Sequence, residues 1–320
     1  MRTGGLGIAI LVGLVALGQA APLDPRAVAG GATWVAHLDV DAMRASIVVQ
    51  NAYREFVEKC PIGQAASPML DASRAILGLD PREDLQGITL YGTQLGKEQG
   101  VLIVYAKVNQ GLLEEKVKRA RGYESGSHGP HTLHTWIHRD PRGERRVTGA
   151  FYKDQGMVFS GSKEDVEAAL DVLDGKRPSL THPTLAAKIP AGAMVLFRAV
   201  GIAEIPGASN WIQQIESAAL VAGENEGRSF LEVHVEAKSP QAAELLGKIA
   251  EGVRAAASLH AGGGSQDREI AAGMKVRVAD KTVSVEDQAP AEVVWRHLQG
   301  GMEKIVEHYR ELRKLREGRR

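Results

Sequence analysis

Four histidines, His128, His131, His134 and His138, are the residues whose type and spacing most suggest chemistry. Clustered imidazoles are ordinary ligands of zinc, copper and nickel. If Thr132 to His138 forms a strand, however, His131 and His134 face opposite sides, and His134 and His138 lie about 13 Å apart on one side. Two ligands of one metal ion lie only about 3 Å from each other. We therefore predict no strong metal site, with the loop residues His128 and His131 as the weak candidates for one.

Other residue patterns give no catalytic site. Asp39 and Asp41 lie where a strand gives way to a helix, and helix capping accounts for them better than cation binding does. There is no G-x-S-x-G motif, and Ser160-Gly161-Ser162 fits the end of a strand followed by a helix cap. A P-loop, H-E-x-x-H and C-x-x-C are absent from the sequence. We predict no catalytic residue and no cofactor, while a dispersed Ser, His, Asp triad stays open because only geometry reveals one.

The first elements that must position these residues are a strand and a long helix. Residues Trp34 to Val40 predict the strand, and a helix opens near Asp41 and runs to Cys60, where Pro61 stops it. Cys60 continues an apolar stripe formed by Ala45, Val49, Ala52 and Phe56. It is the chain's single cysteine, which excludes an intramolecular disulfide. We expect a buried, unreactive thiol packed with Phe56.

The remaining pattern alternates strands with capped helices. Strands are predicted at 88–91, 101–107, 131–138, 146–152 and 157–160, and then at 193–200, 218–222, 230–238, 274–279 and 282–286. Helices are predicted at 67–78, 109–122, 162–175, 210–215 and 240–260, and from Pro290 onward. Asn109 and Ser162 are the expected caps of their helices. A loop containing glycine and serine is predicted before His131.

The two halves of the chain resemble each other. An ungapped alignment pairs Gly92, Gly96, Val104, Ala106, Lys107 and Gln110 with Gly223, Gly227, Val235, Ala237, Lys238 and Gln241. The order of elements also recurs, which favours a duplication over chance. We predict an α+β fold of two tandem related units, residues 30–178 and 190–300, each a mainly antiparallel sheet with helices packed on one face.

The N-terminus predicts export. Arg2 precedes an apolar run from Leu6 to Leu17, which is shorter than the ~20 residues that span a bilayer. Gly18-Gln19-Ala20 then provides a signal-peptidase site, so residues 1–20 form a predicted signal peptide cleaved after Ala20, or alternatively after Ala21. A retained signal anchor is the other interpretation. No other segment is apolar for long enough to cross a membrane, so we expect a periplasmic or extracellular protein.

The C-terminal residues 301–320 form the other distinctive segment. Apolar residues at Trp295, Leu298, Met302, Ile305, Tyr309 and Leu312 step by three and four, which predicts an amphipathic basic helix or tail. Its positive charges are Arg310, Arg313, Lys314, Arg316, Arg319 and Arg320. The whole chain is balanced, with 39 basic and 39 acidic residues, so we expect no nucleic-acid partner. Weak contact with anionic surfaces would come from the tail.

The sequence resembles a family of uncharacterised bacterial proteins that carry signal peptides. The similarity lies in Trp34 to Asp39 followed by DAMRAS, in ITLYG, HTLHTW and GAFY, and in SKEDVEAALDVLDGK and EGRSFLEVHVEAKSP. It implies an exported protein with a duplicated α+β unit and transfers no activity or site residue. Our leading hypothesis is a non-catalytic binding or scaffold module that engages an unknown envelope component or protein partner. The alternatives are a metal or small-ligand binding protein using the His128 to His138 region, and a hydrolase with a dispersed site.

Overall fold

A computed structural model of the protein describes residues 22–60, 63–64, 68, 70–74, 78–95, 100–140, 143–153, 156–260 and 273–300. The predicted signal peptide with its cleavage site, Pro61, and the basic tail at 301–320 lie outside the described residues, so the inferences drawn from them stay predictions.

Twelve strands in the described part of the chain form one antiparallel sheet. The strands are β1 (Trp34–Asp39), β2 (Leu85–Gly92), β3 (Val101–Ala106), β4 (Glu124–His128), β5 (His131–Asp140), β6 (Gly143–Tyr152), β7 (Gly156–Ser160), β8 (Ala193–Val200), β9 (Ile215–Asn225), β10 (Arg228–Ala237), β11 (Lys275–Ala279) and β12 (Thr282–Pro290). Their order is β11-β12-β10-β9-β8-β1-β2-β3-β7-β6-β5-β4. The predicted α+β class and antiparallel pairing are confirmed, and β1 pairs with β8 to join both halves of the chain in one sheet.

Helices begin where short polar side chains cap them, as the sequence predicted. The helices with continuous described bounds are α1 (Val40–Ala45), α2 (Ile47–Lys59), α3 (Gln110–Lys118), α4 (Lys163–Leu173), α5 (Pro240–His260) and α6 (291–300), with short 3-10 turns at Pro25–Ala27, Ile202–Glu204 and Ile212–Gln214. Residues 63–64, 68 and 70–74 are also helical, within and beside the helix predicted at 67–78. Asp39 accepts a hydrogen bond from the first turn of α1, and Asn109 and Ser162 do the same for α3 and α4. Each cap satisfies a backbone N–H that has no partner within its helix.

The single helix predicted from Asp41 to Cys60 is wrong, because the chain breaks at Ser46. Ser46 has an extended backbone, with φ −73° and ψ 130°, and its hydroxyl caps α2 by accepting a hydrogen bond from the Val49 N–H at 3.2 Å. Cys60 ends α2 and is 5% exposed, so the expected burial of the thiol is confirmed. Phe56 is 38% exposed, which overturns its predicted place in the core.

A carboxylate from the second half of the chain completes the start of α2. Glu224 of β9 accepts hydrogen bonds from the Ser46 hydroxyl at 2.7 Å, the Ile47 N–H at 2.9 Å and the Val48 N–H at 3.3 Å. Negative charge at a helix N-terminus is favourable because the free N–H groups and the helix dipole both point toward it. Glu224 therefore ties α2 to the sheet.

Helices cover both faces of the sheet, and the prediction that they pack on one face is wrong. On one face, here called the α4 face, one hydrophobic cluster joins Ile103, Leu133 and Val158 of the sheet to Val166 and Leu170 of α4. The strands carry apolar residues on both of their sides, as in VLIVYA of β3 and GMVFS of β7. Such strands need cover above and below the sheet.

The opposite face, here called the α3 face, holds the strand residues that follow or precede the cluster residues in the sequence. Consecutive side chains of a strand point to opposite faces of the sheet. His134 of β5 lies on this face, and the pairing register continues the face across the sheet through Gly149, Phe159, Leu102, Leu90, Ala36, Phe197, Leu220, Val233, Val285 and Val276. At its far end α5 packs Ala243 and Leu246 against Val283. The His134 end lies beside α3.

Strand β4 replaces the loop predicted before His131. It pairs with β5 as a hairpin that places His128 directly opposite His131. Its sequence, ESGSH, is polar and mostly exposed. An edge strand of this kind lacks the apolar alternation by which strands are recognised in a sequence.

Candidate functional site

The weak metal candidates His128 and His131 face each other in the β4–β5 hairpin but bind different carboxylates. The Nε2 atom of His128 lies 2.8 Å from Asp171 Oδ1, and that of His131 lies 3.2 Å from both Asp174 oxygens. Hydrogen bonding to His128 lowers the pKa of Asp171, and Lys176 and then His131 lower the pKa of Asp174. Among the described residues, no three His, Cys, Asp or Glu side chains come close enough to hold a metal ion. Through these contacts the two imidazoles attach the β4–β5 hairpin to the C-terminal end of α4.

His134 is placed differently from the other histidines of the strand. It is 3% exposed and lies on the α3 face, whereas His138 is exposed. Its Nδ1 atom is 3.1 Å from the Tyr123 hydroxyl, while its Nε2 atom is buried and has no hydrogen-bond partner in the described part of the chain. The ring stacks near Tyr123 at a centroid distance of 6.1 Å and meets the edge of Phe151 at 6.0 Å.

A pocket of about 320 Å³ lies between α3 and the sheet beside His134. Leu113 and Val117, one helical turn apart, form the α3 wall. The sheet wall is aromatic and aliphatic, with Trp136, Phe151, Met157, Phe159 and Ala150, and Lys116 and Ala120 complete the lining together with Gly149. The rings of Trp136 and Phe159 meet edge to face at 6.3 Å. The walls are therefore apolar and the one buried polar side chain among them is His134.

Gly149 is necessary for the shape of this pocket. It pairs with His134 across β5 and β6, and with Phe159 across β6 and β7. A Cβ atom at position 149 would lie 2.5 Å from Phe159 Cδ1, which no side chain tolerates without movement. Glycine thus allows the Phe159 ring to lie across the strand beside His134.

The electrostatics of the pocket keep His134 uncharged. Burial lowers the pKa of His134, Glu114 opposes that shift, and Lys118 adds to it. Glu114 and Lys118 form an exposed ion pair on α3 at 3.3 Å. Lys116 is exposed at the rim. The interior therefore presents a neutral imidazole surrounded by apolar side chains.

We expect the lowered pKa of His134 to make folding depend on pH. The unfolded imidazole, with a pKa of about 6.5, binds protons more readily than the folded one. The contribution of His134 to the free energy of unfolding is therefore complete above the pKa of the unfolded state. It is lost as the pH falls through the pKa of the folded state. His134→Gln removes this contribution, so the stability advantage of the native protein over the variant should shrink between pH 7.5 and pH 5.

Urea unfolding of both proteins at the two pH values measures that change. His138→Gln, at an exposed position of the same strand, is the matched control and should show no such trend. An advantage of the native protein that grows toward pH 5 would contradict the burial argument.

The other residues singled out in the sequence have structural roles. Asp39 caps α1 through the Ala42 N–H at 2.8 Å, and Asp41 pairs with Arg44. Ser160 ends β7 and Ser162 caps α4, as predicted. Tyr123 and the pocket-lining residues were not predicted as a group. The pattern that could have suggested them is the pair Leu113 and Val117 on a capped helix, followed by a strand with aromatic residues on alternate positions.

A larger cavity, of about 810 Å³, lies on the α4 face between the first 3-10 turn and the end of α4. Arg26, Lys153 and Arg177 line it. Arg26 is bound to Asp24 at 3.0 Å, and Arg177 lies 3.3 Å from Asp171, so these guanidinium groups already have anionic partners. Tyr105 also lines this cavity, and its buried hydroxyl has no hydrogen-bond partner among the described residues. Charged side chains share that lining, so this cavity lacks the apolar walls of the pocket beside His134.

Comparison with known proteins gives distant structural similarity alone. No family model matches the chain, and no curated protein is significantly similar to it. Similar solved structures include crystal form III of TP0453, at 11% identity and a TM-score of 0.46 over 86% of this chain and 98% of that chain. Crystal form I of TP0453 is 10% identical, with a TM-score of 0.45 over 88% of this chain and 98% of that chain. Similarity at this level carries no functional argument.

Among the helices of the described residues, none combines the length and the hydropathy needed to cross a bilayer.

Proposed function

We propose that this protein is a non-catalytic binding protein whose pocket between α3 and the sheet takes a small, mainly apolar ligand. The observation that carries the proposal is His134, which lines the apolar pocket and whose buried Nε2 atom has no hydrogen-bond partner among the described residues. Leaving such a group unpaired costs about 1–3 kcal/mol. A ligand that supplies the missing partner would recover that free energy.

The size and lining of the pocket support a ligand. A cavity of ~150 Å³ with aliphatic and aromatic walls is enough to bind benzene. The pocket beside His134 has about 320 Å³, which lies at the lower end of the ~300–1,000 Å³ range of small-molecule sites.

The residues around the pocket favour binding over catalysis. Covalent or acid–base catalysis needs a nucleophile or a second ionisable group within hydrogen-bond reach of the base. His134 and Lys116 are the titratable side chains of the lining, and Lys116 is at the exposed rim. The His128–Asp171 and His131–Asp174 pairs lie at α4, against the other face of the sheet. This arrangement supports a binding protein over the alternative of a hydrolase.

Filling the pocket tests the proposal. Naphthalene should bind the purified protein saturably, as measured by isothermal titration calorimetry. Val117→Trp adds an indole from the α3 wall and should weaken binding by more than tenfold. Glu115→Trp, on the exposed side of the same helix, is the matched control and should bind like the native protein. Absence of saturable binding, or equal weakening by both variants, would refute the proposal.

We also propose that the two halves of the chain arose by duplication. The strand order supports this, because β1-β2-β3-β7 on one side of the central β1–β8 pair is matched by β8-β9-β10-β12 on the other. Val104 and Val235 hold corresponding positions in β3 and β10 and lie on the same face of the sheet. The pocket beside His134 belongs to the first unit, residues 30–178.

We further propose that the protein acts after export, in the periplasm or outside the cell, with residues 1–20 removed. The short apolar run before Gly18-Gln19-Ala20 supports this compartment. The basic tail, with its net charge of +4 between Arg310 and Arg320, would contribute weak contact with anionic envelope surfaces. N-terminal sequencing of the secreted protein tests the export proposal, and an intact Met1 would contradict it.

A further inference from the structure

The hydrogen bond between Tyr123 and His134 fixes what the pocket offers to a ligand. Within the described residues, the Tyr123 hydroxyl has one hydrogen-bond partner, His134 Nδ1, at 3.1 Å. Either atom of this pair can be the donor, and we assign the phenol as donor because its proton has no other acceptor among the described residues; Nδ1 then accepts that bond. The tautomer of a neutral imidazole is set by the hydrogen bond that its other nitrogen makes. Nε2 therefore carries the proton and needs an acceptor.

The walls of the pocket decide what kind of acceptor fits. Transfer of a carboxylate into apolar surroundings is far more costly than transfer of a hydroxyl or a carbonyl. Among the residues described around the pocket, no cation lies in the interior to offset that cost, because Lys116 is at the exposed rim and Lys118 is paired with Glu114. An uncharged oxygen is thus favoured at Nε2, while rings or alkyl carbons contact Phe159, Trp136 and Leu113.

We infer that the ligand is an uncharged, mainly apolar molecule that presents one hydroxyl or carbonyl oxygen to the Nε2–H of His134. This inference rests on the proposed function, because it names the class of ligand that the same pocket takes. The oxygen accepts a hydrogen bond from the Nε2–H group, and the remainder of the ligand fills the apolar space between α3 and β5–β7. No bond is broken and no proton is transferred.

Three probes of the same ring system test this inference: naphthalene, 2-naphthol and 2-naphthoate, each titrated at pH 7.5. The key quantity is the ratio of the naphthalene Kd to the 2-naphthol Kd in the native protein, divided by the same ratio in His134→Phe. Comparison with the variant cancels the difference in hydration between the two probes. If the Nε2–H group of His134 donates one hydrogen bond to 2-naphthol, this quotient should be about 10. We expect 2-naphthoate to bind most weakly of the three.

Two variants of His134 separate recognition from folding. His134→Gln keeps an N–H donor and should retain part of the preference for 2-naphthol, whereas His134→Phe has no donor and should lose that preference. If His134→Phe does not fold, the comparison is made between the native protein and His134→Gln, together with the imidazole ¹⁵N shift of Nε2 in the native protein. That shift should move when 2-naphthol binds and stay in place with naphthalene.

The outcomes distinguish the inference from the function on which it rests. A quotient near one, or tightest binding by 2-naphthoate, overturns the inference while leaving a ligand pocket that Val117→Trp closes. Absence of binding by all three probes overturns the proposed function as well. A tenfold quotient together with weak 2-naphthoate binding supports both.

Discussion

Replacement of Arg198 by alanine is expected to lower the free energy of unfolding by about 4 kcal/mol. Arg198 is 3% exposed and lies on β8, and burial lowers its pKa. Its guanidinium group donates to the carbonyl oxygens of Leu185 at 3.1 Å, Ala187 at 2.6 Å and Lys188 at 3.1 Å. These carbonyls belong to a segment without helix or strand, so Arg198 replaces the hydrogen bonds that a regular element would provide.

The loss combines the packing of the side chain with its hydrogen bonds to the three carbonyl groups, and a second variant separates these two contributions. Arg198→Met keeps most of the side-chain volume but leaves the three carbonyls without donors, and it should remain at least 2 kcal/mol less stable than the native protein. Arg228→Ala, at an exposed position in β10, is the matched control and should change stability by less than about 0.5 kcal/mol. Urea unfolding monitored by circular dichroism measures all three. A methionine variant as stable as the native protein would show that the hydrogen bonds to the 185–188 segment are unimportant.

The second large effect is expected at Gly192, immediately before β8. Its φ is +76°, and a Cβ atom there would lie 2.1 Å from the carbonyl oxygen of Glu224. The Gly192 carbonyl in turn accepts the Glu224 N–H at 3.0 Å. Gly192→Ala must therefore push β8 and β9 apart while keeping a left-handed backbone. We expect it to lose about 3 kcal/mol or more of stability, the sum of steric strain and the left-handed conformation.

Gly207→Ala provides the control for backbone conformation alone. Gly207 has nearly the same φ, +77°, but a Cβ atom there meets nothing within 4 Å. This variant should lose only about 1 kcal/mol. The difference between the two variants, measured by urea unfolding, reports the close approach of Gly192 to Glu224. Equal losses would mean that the strands separate without cost, and the link from Glu224 to α2 would then contribute little to the fold.

Local signals were enough to predict the caps and most of the strands. Asp39, Asn109 and Ser162 cap helices because each side chain bonds an N–H within three residues along the chain, and such pairs are visible in a sequence. The break at Ser46 was missed because its second partner, Glu224, is 178 residues away. Strand β4 was missed because ESGSH is polar and lies at an edge.

The pocket could not be predicted because its members meet only through the register of the sheet. The sequence shows a row of histidines, but it does not show that Gly149 lies opposite His134 and allows the Phe159 ring to lie beside it. Strand alternation correctly separated His134 from His131. The partner of each imidazole depended on which helix lay on which face: Asp174 of the segment after α4 for His131, and Tyr123 before β4 for His134.

The most direct test of the proposed pocket is a crystal structure of the protein with 2-naphthol at saturating concentration. We predict the naphthalene ring between Val117 of α3 and Phe159 of β7, with its oxygen about 2.7–3.2 Å from His134 Nε2. A pocket that stays closed to the probe under these conditions, or a probe bound with its oxygen toward solvent and away from His134, would contradict the account.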